Sequence, residues 1–185
     1  MRRNPSCLRG PTPFGAIPPG AQVAAYVSHH LGRLLDQEVP YCWRALKHFR
    51  VKDARYRFNG RTLLQWVRAG AMKHSFANRV QAAISGLDAL GRSRAAVALE
   101  AEFTAWAACY DAFAASCGAA MPLRKAERKR FVVNTIGQLE GLLTLVITRI
   151  GTWASAENIE LKPGPGLRDL LMELLGVDPK VIQKM

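Results

Sequence analysis

The side chains best suited to chemistry are concentrated between Arg44 and Arg68. Arg44, Lys47, Arg50, Lys52, Arg55, Arg57, Arg61 and Arg68 stand there against a single acid, Asp53. Phe49, Tyr56, Phe58 and Trp66 are interleaved with them, and Tyr41 and Trp43 lie just upstream. Cations of this kind neutralise phosphates and release counterions, and a ring such as that of Tyr56 can stack on a base. A solvated protein face usually mixes both signs of charge, and this one does not. The segment therefore predicts contact with a polyanion. The bland reading is a charged face over ordinary core aromatics, and it applies best to single rings such as Trp43 and Trp66.

A second basic block consists of Arg124, Lys125, Arg128, Lys129 and Arg130, with Glu127 its one acid. It opens a predicted helix, the end at which the macrodipole favours acids and free N–H groups attract anions. Pairing of these cations with Glu127 at i, i+3 and i, i+4 is the structural alternative. Brought to one side of the molecule, the two blocks would make a groove able to follow a phosphate backbone.

Catalytic constellations do not emerge. His29 and His30 fall on a short apolar helix, and His48 and His74 lie in basic surroundings. Asp36 with Glu38, and Glu100 with Glu102, are spaced i, i+2, which points helical side chains to different faces. No H-x-x-x-H, G-x-S-x-G or phosphate-loop motif occurs. Cys7, Cys42, Cys109 and Cys117 form no C-x-x-C pair and no compact Cys/His spacing. The expectation is a non-enzyme with no metal and no cofactor, holding reduced thiols in the cytoplasm.

The chain as a whole fits that picture. Its 26 Lys and Arg against 14 acids give +12 at neutral pH and a pI near 10.1. Such a field draws nucleic acid, an anionic membrane surface or an acidic protein. The longest apolar run, Leu142 to Ile150, is broken by Thr144, Thr148 and Arg149. That is short of the roughly 20 residues needed to span a bilayer, so no membrane partner is expected. The N-terminus is basic but lacks an apolar signal core before Pro11 and Pro13. Ala-, Arg- and Gly-rich usage points to a GC-rich bacterial genome.

Positioning these side chains falls to helices. Residues 1–20 carry Pro5, Pro11, Pro13, Pro18 and Pro19 with three glycines and read as a flexible basic arm. A helix is predicted over about 21–37, with a second short one from Pro40 through Trp43, Leu46 and Phe49. Asn59-Gly60 between alternating residues is a β-hairpin signal. It is equally a break before a long helix from Arg61 to about Leu90. The break is preferred, because two strands alone are marginal. Farther on, Ala96, Leu99, Phe103, Trp106, Tyr110, Phe113 and Cys117 recur at steps of three and four, and Gly118 supplies a stop. Val132, Ile136, Leu139, Leu143, Val146, Ile150 and Trp153 repeat the rhythm. Two such seams joined by a short turn predict an antiparallel helical hairpin over about 93–117 and 122–156. Gly137 and Gly141 on its second helix are expected to let the backbones approach closely.

The fold class expected is all-α, a helical bundle built around this long hairpin, with a small β-hairpin near Asn59-Gly60 as the minor alternative. The bundle would span 21–161, followed over 162–185 by a Pro/Gly linker and a short amphipathic helix. The function expected is non-catalytic nucleic-acid binding, RNA or DNA. It suits a small subunit of a ribonucleoprotein or DNA-processing complex that also contacts other protein subunits. The alternative is a helical adaptor or regulator that docks an acidic protein through the same basic face.

Overall fold

A computed structural model describes residues 19–49, 56–118 and 124–176. Residues 1–18, which hold most of the expected arm, lie outside them. So does the segment with Arg50, Lys52 and Arg55. The described chain is helical, with no strand: α1 (Pro19–Arg33), α2 (Val39–Phe49), α3 (Tyr56–Arg68), α4 (Ala71–Ala89), α5 (Ser93–Ser116), α6 (Lys125–Ala156) and α7 (Pro165–Leu175). The all-α expectation holds at that level.

No break separates α1 from α2. A π turn, Leu34–Glu38, joins them, and the N–H of Val39 reaches back to the carbonyl of Leu34. The cause is Pro40. Its ring clashes with the carbonyl four residues earlier, that of Asp36, and it has no N–H to donate there. One widened turn lets the helix continue past it. The side chain of Asp36 in this turn organises the start of α7: its Oδ1 accepts the N–H of Leu167 at 3.0 Å. This satisfies one orphan donor of the helix start from across the molecule. Gly166 packs so closely on Asp36 that a Cβ would collide with the Asp36 carbonyl. The stretch read as a linker is thus docked, and Ile159, Leu167 and Leu170 are buried.

Asn59-Gly60 is neither a hairpin nor a helix boundary. Both residues lie inside α3, whose Leu63, Leu64 and Val67 are buried. Tertiary burial of that apolar side outweighs the cost of a helical glycine, about 1 kcal/mol. The break comes later instead. Gly70 adopts φ +65°, ends α3 and splits the expected helix over 61–90 into α3 and α4. Gly91, φ +74°, closes α4, with the N–H of Arg92 donating to the Leu87 carbonyl at 2.8 Å.

α5 and α6 carry the centre of the core. Leu99, Trp106 and Tyr110 are buried on one, and the whole expected series Val132 to Trp153 is buried on the other. The Trp106 indole donates to the Leu142 carbonyl at 2.8 Å, and the Trp153 indole donates to the Ala95 carbonyl at 3.1 Å. Arg149, which interrupts the apolar run in sequence, holds Glu102 at 2.7 Å.

Gly137 and Gly141 do not serve the helix contact. Both are exposed, with open space where a Cβ would stand. The seam of α6 runs through Leu139 and Leu143, and the two glycines fall on the opposite face. By length and composition, α6 is a helix that could cross a bilayer. Its seam from Val132 to Trp153 is nonetheless turned into the bundle, whereas Val133 is exposed.

Candidate functional site

The first basic block is distributed over α2 and α3. On α2, Val39, Cys42, Trp43 and Leu46 are buried, whereas Tyr41, Arg44, Lys47 and His48 are exposed. Lys47 is engaged: its ammonium lies 3.8 Å over the centre of the Trp43 ring and pairs with Glu173 of α7. Arg44 and Arg61 are exposed and make no ion pair with a described residue. Tyr56 and Arg57 belong to α3, but their side chains lie outside the described ones, as do all atoms of Arg50, Lys52 and Arg55. Trp43 is buried, and Trp66 is half-buried with its ring centre 6.4 Å from that of Phe49. Both belong to the core side of the segment.

Arg68 ends α3 and donates to the carbonyl of Gly118, just past the C-terminus of α5. A cation there offsets the negative end of the α5 dipole. Next to it, the hydroxyl of Tyr110 donates to the Val67 carbonyl at 2.8 Å. Burial first, and then the neighbouring Cys42, Asp111 and Cys117, push that phenol up to about 12. These two bonds fix the end of α3 against the end of α5.

That block opens α6. Arg124 stands at the N-cap with extended backbone and no side-chain cap. Its guanidinium is 4.0 Å from Glu127, the limit of an ion pair, and both groups are exposed. Such a contact contributes little. Lys125, Lys129 and Arg130 are exposed without an ion pair to a described residue, whereas Arg128 is half-buried. Outside the two blocks, cations more often find acids: Lys73 holds Asp111 at 2.6 Å, Arg79 holds Glu38 at 3.2 Å and Arg92 holds Glu157 at 3.4 Å.

Sequence reasoning passed over one polar recess. His30 of α1, Glu38 of the π turn and Ser75, Asn78 and Arg79 of α4 line a hollow of about 300 Å³. Glu38 accepts from the Ser75 hydroxyl at 2.7 Å and from Arg79 Nε at 3.2 Å. His30 Nδ1 is buried without a hydrogen-bond partner among the described residues. Burial, and after it His29, Arg79 and Arg33, lower the His30 pKa, so the ring is neutral at pH 7. No linear motif announces this cluster, because the π turn is what brings Glu38 to α4. The described residues contain no group of three metal-ligating side chains, here or elsewhere.

The described cysteines, Cys42, Cys109 and Cys117, are free. Burial, reinforced by Glu38, pushes the Cys42 thiol up to about 12, so it carries no nucleophilic thiolate at neutral pH. Comparison of the chain with protein-family models, with characterised proteins and with solved structures returned no match.

Proposed function

We propose that this protein binds nucleic acid without catalysis, contacting phosphates through the exposed cations of its two basic blocks. One observation carries the reading: Arg44, Arg61, Lys125, Lys129 and Arg130 are all exposed, and no described acid pairs with them. Charge left uncompensated at a helix start, against the dipole, costs stability unless an anion is bound there. The net charge of +12 extends the same field over the whole molecule.

We read α5 and α6 as one antiparallel hairpin that serves as the scaffold, supported by the opposed pairing of Ala95 with Trp153 and of Trp106 with Leu142. The contact of Arg68 with Gly118 supports a surface shared by both blocks. The binding mode is phosphate tracking with little base readout, which suits a subunit of a nucleoprotein assembly in the bacterial cytoplasm.

Titration of labelled oligonucleotides over a range of salt concentrations tests the proposal. A log–log plot should be linear, with a slope reporting several contacts. Changing Arg44, Arg61, Lys125 and Lys129 together to Gln should lower that slope by about 0.7 to 0.9 for each phosphate no longer neutralised, with unchanged helicity. Undiminished affinity in that variant would remove the reading and favour an acidic protein as the partner.

A further inference from the structure

We propose that Tyr41 is the residue on which a base of a single-stranded nucleic acid stacks, with Arg44 and His48 following the phosphates along the same face of α2. The inference rests on the nucleic-acid reading and adds to it a stacking residue and a strand form.

A stacking platform needs a ring with a free face, and the rings of this segment differ in that respect. Trp43 is 7% exposed, and Lys47 covers its face. Phe49 and Trp66 are half-buried and packed against the core. Tyr41 is 64% exposed, and its hydroxyl makes no hydrogen bond with a described residue. A large ring held in water gains nothing from burial in the fold. A base laid on it would cover apolar area otherwise left wet.

The surroundings of Tyr41 suit a polyanion. Arg44 and His48 follow it at i+3 and i+7, the spacing that keeps helical side chains on one face. From Tyr41 to His48 the line runs about 10 Å along the helix axis. α2 contains no acid. The two acids just before it are committed elsewhere, Asp36 to the N–H of Leu167 and Glu38 to Ser75 and Arg79. Glu173 of the adjoining α7 is held by Lys47.

The strand form follows from geometry. In a duplex each base is already covered above and below, so a ring standing off a convex helix finds no free π face. Side chains that wedge into a duplex are typically apolar, and the Tyr41 hydroxyl would have to be desolvated to do so. An unpaired base offers its face at no such cost, and stacking of this kind is indifferent to sequence.

The test is fluorescence anisotropy with labelled oligo-dT and oligo-U of about 15 nucleotides and a duplex of equal length, using the full chain. Tyr41→Ala should weaken single-strand binding roughly 5- to 150-fold and leave duplex binding within about twofold. Tyr41→Phe, which keeps the ring, should bind single strands like the wild type. Circular dichroism of both variants should match the parent, since the side chain is outside the core. If the wild type binds strands and Tyr41→Ala binds them equally well, the stacking proposal falls while phosphate tracking stands. An equal loss on duplex, or a loss confined to Tyr56→Ala, also overturns it. Absence of wild-type binding to every probe at low salt overturns both readings.

Discussion

Side chains of one type take opposite roles here according to the face they occupy. Tyr110 is buried, donates to the Val67 carbonyl and closes the end of α3, whereas Tyr41 points into water. Tyr110→Phe should cost about 1 kcal/mol in urea unfolding, the usual net value of one buried hydrogen bond, since the Val67 carbonyl keeps the Gly70 N–H at 3.0 Å as its other donor. The cysteines divide in the same way. Cys42 is buried with its thiol pushed up to about 12, whereas Cys109 is exposed. In native protein at pH 8, iodoacetamide should label Cys109 and spare Cys42, as read by mass spectrometry. Denaturation should make the two equally reactive. Rapid labelling of Cys42 in the native protein would show that α2 opens from the bundle.

At the scale of elements, the contact between the π turn and α7 is a single polar joint of high leverage. Asp36 supplies a carboxylate to the N–H of Leu167, and its carbonyl lies against Gly166. Asp36→Ala should cost about 1 kcal/mol, the usual value of a lost helix cap. Gly166→Ala should cost more, because its methyl group meets backbone rather than a movable side chain. Chemical denaturation measures both, and amide exchange should show α7 opening ahead of α5 and α6. Equal protection of α7 in Gly166→Ala and the parent would mean that the joint tolerates the methyl group. The α5–α6 seam is the contrasting case. Leu143 is wholly buried, and Leu143→Asp should unfold or aggregate the protein, since an unpaired buried charge costs an amount comparable to the stability of a small domain.

Over the whole molecule, the shifted groups set a pH window of stability. The lowered pKa of His30 means that the unfolded chain binds its proton first as pH falls. The contribution of His30 is therefore complete above about 6.5, the unfolded value, and is lost progressively below it. Tyr110 works at the other limit. Its phenol is raised to about 12 in the folded state, so its contribution is complete below about 10 and is lost as pH rises from there toward 12. Melting temperature measured across pH should decline on both sides of a plateau. His30→Gln should flatten the acid limb and leave the alkaline limb in place, whereas Tyr110→Phe should only lessen the alkaline decline, to which the raised Cys42 thiol also contributes, and leave the acid limb unchanged. An acid limb unchanged in His30→Gln would show that other groups govern it.

The sequence by itself determined the helical class and most of the central core. The three-four spacing from Ala96 to Cys117 and from Val132 to Trp153 places large apolar groups on one stripe of each helix, and burying a continuous stripe is the dominant gain in folding. The stop at Gly118 was legible for a similar local reason, since only glycine takes φ +69° without strain. The placement of Asn59-Gly60, the split at Gly70 and the outward turn of Gly137 and Gly141 were decided by tertiary structure, because a turn signal or a small residue has no preferred neighbour until the helices pack. The same holds for the candidate surface. Composition located the basic blocks, but only the packed bundle separates Arg44 and Arg61, which pair with no described acid, from Lys47, which pairs with Glu173. It also separates Trp43, which is buried, from Tyr41, which is not. The π turn forced by Pro40, and the contacts of Asp36 and Glu38 that follow from it, lie deepest in this category, since their partners Leu167, Ser75 and Arg79 are remote in sequence. Exposure is a property of the whole fold: which cation or ring is left for a ligand depends on what every other element has already covered.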